Sequence, residues 1–140
     1  MAFTGNFSCN TLRSGLANGS INLTTDTFYL ALYTNAATLD ETTTAYTATG
    51  EASGGDYAAG GQIVTATVSS EATSSGSVVY VSFSSPSWVG QITARGALIY
   101  KAGDNGAVCV LDFGNDKTSA NTFTVTMPAN TSTSALIRLV

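Results

Sequence analysis

Histidine is missing from this chain altogether. That removes most hydrolytic triads, the two-histidine-one-carboxylate iron site and most zinc sites. Only two cysteines are present, Cys9 and Cys109. They are too few for a zinc or iron–sulfur centre, and without histidine no Cys–His nucleophile pair exists. Basic residues number five, Arg13, Arg95, Lys101, Lys117 and Arg138, scattered along the chain. Phosphate backbones are bound by clustered cations that release counterions, so no nucleic-acid partner is expected. An anionic membrane surface is disfavoured on the same ground, and no apolar run approaches membrane-spanning length. Charged residues make up only 10% of the chain, against the usual quarter or so in globular proteins. MAFTGNFSCN has neither a basic start nor an apolar core, so no signal peptide is expected.

What fills the chain instead is Thr, Ser, Ala, Gly and Asn around an ordinary apolar fraction of 44%. Such a surface hydrogen-bonds but is weakly charged, which suits broad, nearly neutral contacts. The 140 residues are long enough for one domain, 1–140, with a real core. Cys109 sits in an apolar run, where cysteine behaves as a small buried hydrophobe, so two free thiols are expected.

Period-two patterning dominates. TFYLALYT, residues 27–34, is apolar on both faces and predicts a central strand covered on each side. QIVTATVS (62–69) predicts a strand with Val64, Ala66 and Val68 inward, and VVYVSFS (78–84) another. Pro86 ends that strand, and Trp88 is placed at a corner of the core. ALIYKA and AVCVLDF flank GDNG, a hairpin turn; TFTVT (122–126) and SALIRLV (134–140) complete the set. NTLRSGLANG predicts a short N-terminal helix with Asn10 as N-cap and Gly19 or Asn18 as its stop. The expected fold is therefore all-β: an antiparallel β-sandwich of about seven strands, a jelly roll being one fitting arrangement, with that helix.

Residues 35–61 form a connection too long for a plain linker. It holds four of the nine acids, Asp40, Glu41, Glu51 and Asp56, and two tyrosines, Tyr46 and Tyr57. It reads as a contact loop, with Tyr46 and Tyr57 as amphipathic interface anchors.

The stretch ARGALIYKAGDNGAVCVLDFGNDK (94–117) offers the sharpest motifs. GDNGAV has one carboxylate and lacks calcium-loop spacing, so Asp104, Asp112 and Asp116 are not read as metal ligands. Asp-Phe-Gly at 112–114 matches a kinase magnesium motif, but no phosphate loop accompanies it, and GNDK reads as a turn. A glycosidase pair of Glu51 with Asp56 or Glu71 is formally possible, but solvated loop charge explains those acids. A sugar-binding face on Tyr29, Tyr33, Tyr46 and Tyr57 is weighed against packing, which accounts for them as well. No enzyme, catalytic residue, cofactor or metal is expected.

Three segments carry a resemblance: SGLANGSINLTTDTFYLALYTNAATLDETTTAYTATGE, GGDYAAGG and ITARGALIYKAGDNGAVCVLDFGNDKTS. Together they resemble a family of small structural proteins of tailed bacteriophages, over about Ser14 to Phe123. RGALIY and the VLDFG-DK segment are the most distinctive parts. The resemblance implies a capsid cement or decoration protein, a β-rich module bound to the major capsid protein as a homo-oligomer, typically a trimer. Its location would be the virion surface, after synthesis in the host cytoplasm. A tail, tail-fibre or adhesin module is the alternative, and a carbohydrate-binding domain a more distant one.

Overall fold

A computed structural model describes residue 3 and residues 5–74 and 76–139. The fold is all-β with antiparallel sheets and one short helix. In chain order the elements are β1 (Phe7–Ser8), α1 (Asn10–Asn18), β2 (Phe28–Tyr33), β3 (Gln62–Val64), β4 (Ala66–Thr73) and β5 (Gly76–Phe83). They continue as β6 (Ser87–Val89), β7 (Thr93–Lys101), β8 (Ala107–Thr118), β9 (Thr122–Thr124) and β10 (Ile137–Leu139). A five-stranded sheet runs β1-β8-β7-β2-β3, a three-stranded sheet β10-β5-β4, and β6 pairs with β9.

The apolar alternation of β2 does what its sequence predicts. Phe28, Leu30 and Leu32 enter a core shared with Val81, Phe83 and Ile137 of the three-stranded sheet, Trp88 and Phe123 of the β6–β9 ribbon, and Leu12 of the helix. Ala31 and Tyr33 enter a second core on the opposite face, with Leu98, Tyr100 and Val110. Residues 35–61 roof that second core through Ala37, Leu39 and Tyr46. The five-stranded sheet is thus buried on both sides, one side by β-strands and the other by irregular chain.

Four details differ from the sequence expectation, each for a local reason. The strand expected over 62–69 breaks at Thr65, and its halves join different sheets: β3 pairs with β2, β4 with β5. Val68 shares the face of core residue Val81, as expected, but lies past the end of the core and is 39% exposed. GNDK is a bulge, not a turn: Gly114 takes φ +89°, the register slips, and the ladder resumes at Ala94–Lys117 and Thr93–Thr118. The helix is N-capped by Cys9, without a side-chain bond, because Asn10 Oδ1 accepts from Arg13 instead (2.5 Å). The count rises above seven because the 62–69 alternation splits into β3 and β4, and because β1 and β6 are only two or three residues long and carry no period.

Cys9 and Cys109 are both buried and free. Ser8 faces Cys109 across the β1–β8 ladder, so Cys9 projects to the opposite face. The thiols accordingly sit in different cores.

Candidate contact face: the tyrosine–glutamate cluster

β3 pairs with β2 only over Phe28–Leu30. The exposed flank of β2 beyond Leu30 needs other partners for its backbone groups. Loop 35–61 supplies them. Ala52 N–H donates to Leu32 O (2.8 Å), Thr34 N–H donates to Gly50 O (2.8 Å), and Leu32 N–H donates to the Tyr57 hydroxyl (2.9 Å). Glu51 forms an antiparallel bridge with Tyr33.

That bridge fixes the Glu51 carboxylate among hydroxyls. Tyr46 donates to Oε1 (2.7 Å), while Tyr57 (2.6 Å) and Gly60 N–H (2.7 Å) donate to Oε2. Tyr33 donates to Thr47 O and Tyr100 to Gly60 O, each at 2.6 Å. The rings stack in series, Tyr29 on Tyr100 (5.9 Å) and Tyr46 on Tyr100 (4.8 Å), and Tyr57 leans on Trp88 (5.4 Å). Burial, then the hydrogen bond to Glu51, pushes Tyr46 up to about 12. Burial and the same carboxylate also hold Tyr57 well above the phenol range. Burial, opposed by its bond to Thr47 O, does so for Tyr33. These phenols are neutral donors, and one acidic side chain organises the whole loop.

Tyr46 and Tyr57 are therefore half-buried and hydrogen-bonded within their own chain. Within the chain, the loop is held chiefly through Glu51. What it presents outward is small: Ala36, Ala48, Ala58 and Ala59 are exposed along it. The far end of the loop docks on the β6–β7 turn, where Asp56 Oδ1 accepts from Val89 N–H and Asp56 N–H donates to Val89 O, both at 2.8 Å. A Cβ on Gly55 would sit 2.4 Å from Val89 O, so the contact requires glycine. The two acids weighed as a glycosidase pair, Glu51 and Asp56, are each engaged in holding this loop, and Glu71 lies on β4, in the other sheet.

The hairpin motifs resolve into local structure. Asn105 takes φ +62° and Asp104 Oδ1 accepts from Gly106 N–H (3.0 Å), the chemistry of a tight turn. Asp112 pairs with Arg95 across β7–β8 and accepts from Gly114 N–H (2.8 Å). Burial alone would raise the Asp112 carboxyl; the Arg95 hydrogen bond, the Gly114 amide and the Arg95 charge outweigh it and hold it below the usual range. Arg95 lies over the Phe3 ring at 5.6 Å. Asp-Phe-Gly is an ion-paired bulge.

The carboxylate–tyrosine wiring was not legible in the sequence, because Glu51 lies in a polar run with nothing to mark it among four acids. The one available hint was the coincidence of two tyrosines and an acid between three glycine turns. Comparison with family models, with curated proteins and with solved structures finds no match to this chain.

Proposed function

We propose that this chain is a structural protein of a tailed-bacteriophage virion, a cement or decoration protein that stabilises the head by binding the major capsid protein. The resemblance of Ser14 to Phe123, above all RGALIY and VLDFG-DK, is the observation that carries the reading. The physical features support it. A cement protein acts by being stiff and by presenting a weakly charged surface to repeated neighbours. Loop 35–61 is long, yet tied to its sheet, and most of its exposed residues are small, Ala, Thr, Ser and Gly, with Asp56 among them. A rigid loop loses little conformational freedom on docking, which favours binding by a flat, near-neutral contact.

Attachment is assigned to this loop and the N-terminal region beside it. Co-sedimentation with capsids stripped of the protein tests it. Ala48→Arg with Ala59→Arg places two bulky cations on the outer side of the loop without touching Glu51, Tyr46 or Tyr57. Binding should fall at least about tenfold while the fold is kept. Undiminished binding removes the loop as the attachment face. Binding to tails and not to heads replaces the head assignment with a tail module.

A further inference from the structure

Two sheets end side by side next to the helix. β1 is the outer strand of the five-stranded sheet and β10 the outer strand of the three-stranded sheet. Both line one groove of about 360 Å³, floored by Leu12 and Leu16 of α1 and by β8. Phe7 is paired with Val110, and Cys9 N–H donates to Val108 O (2.8 Å). Ladder alternation therefore turns the N–H and C=O of Ser8 away from β8. The rim carries two exposed arginines, Arg13 and Arg138. Among the described residues neither makes an ion pair. This groove carries two cations on an apolar floor, and among the described residues the outer edges of β1 and β10 have no strand partner.

The same chain carries a matching projection. The β4–β5 hairpin extends beyond the core, and residues 70–74 and 76–77 are all exposed. Among the described residues β4 has no strand on its outer side. It contains no Lys and no Pro, the residues that usually blunt such an edge, and its one charge is Glu71. Val68 and Val79 are exposed on one face of the hairpin, at 39% and 36%. Val68 pairs with Val81, and Val79 lies two residues from Val81 on the same side.

We propose that the β4 edge of one copy seats in the β1–β10 groove of a second copy, extending a sheet across the contact. Glu71 meets the arginine rim, and Val68 lies toward the leucine floor. Hairpin and groove are different surfaces of the same molecule, so the contact is head-to-tail and generates a ring where the rotation closes. The inference specifies the self-association expected under the virion reading, but its test contains no capsid, so either can fail without the other.

Sedimentation velocity of the full chain, up to roughly 1 mM, reads the assembly directly. Wild type should form a closed oligomer. Glu71→Arg alone, or Arg13→Glu with Arg138→Glu, should raise the dissociation constant at least about tenfold by setting like charges together. All three changes combined should restore it to within about threefold of wild type. These side chains are exposed, so thermal unfolding should be unchanged in every variant. A monomeric wild type, an oligomer indifferent to the reversals, or a triple variant that fails to recover would each overturn the proposal.

Discussion

Glu51 shows how far one side chain can determine a loop. Its carboxylate accepts from two phenols and one amide, and its backbone bridges to Tyr33. Glu51→Gln replaces a charged acceptor with a neutral amide that also brings two unwanted donors. A loss of about 1–3 kcal/mol in denaturant unfolding is expected. Tyr57→Phe should cost a similar amount, since it leaves Leu32 N–H without its acceptor and takes one of two donors from Glu51 Oε2. The tyrosines also set an alkaline limit. Their folded-state values are raised, so the folded chain holds its phenolic protons more tightly than the unfolded chain. The resulting stability is complete below pH ~10, the unfolded phenol value, and is lost as pH rises toward about 12, where Tyr46 titrates. Chemical unfolding followed from pH 8 to 12 should show a flat region and then a fall (pH window from the phenol range). Burial likewise pushes Cys9 up to about 11 and Cys109 higher still. Alkylation should be slow on the native protein and should reach both thiols after denaturation without reductant. A pair that resists alkylation under those conditions would mean a disulfide.

At the scale of elements, glycine and register carry the argument. Gly61 enters β3 at φ +81°, and a Cβ there would lie 1.8 Å from Leu30 O. Gly61→Ala should therefore cost more than about 2 kcal/mol, because strain and a backbone clash add. A change under about 0.5 kcal/mol would show that β3 can leave β2 cheaply. The Arg95–Asp112 pair stitches β7 to β8 beside the bulge. Asp112→Ala leaves a mostly buried guanidinium without its partner and should lower stability by about 2–3 kcal/mol near neutral pH. The Asp112 carboxyl is held low in the folded state, so its contribution is present above pH ~4 and fades as pH falls below that. The elements were legible where both strand faces were apolar, as in β2 and β7. They were not legible where pairing alone defines the strand. β1 is two residues long, and β3 and β4 read as one continuous alternation whose break at Thr65 comes from the two sheets it serves. Gly114 signals positive φ equally for a turn or a bulge, and only the ladder on β7 decides between them. The role of loop 35–61 was half visible: its length and tyrosines marked it, but its tie to β2 depends on backbone groups that no residue type advertises.

The molecule as a whole is a β-sandwich with an extra roof. One sheet is buried twice, below by strands and above by a loop that its own carboxylate holds shut. This leaves a stiff body with two kinds of outer surface, a small-residue loop face and a pair of open sheet edges. Under the proposed virion role, both would serve repeated contacts between neighbours. The most direct measurement is the position of this chain in a density map of the virion that carries it. The account predicts copies on the outside of the head, seated on the major capsid protein through residues 35–61 and joined to one another through β4 and the β1–β10 groove. Density for the chain on the tail alone, or none on the particle, would contradict it.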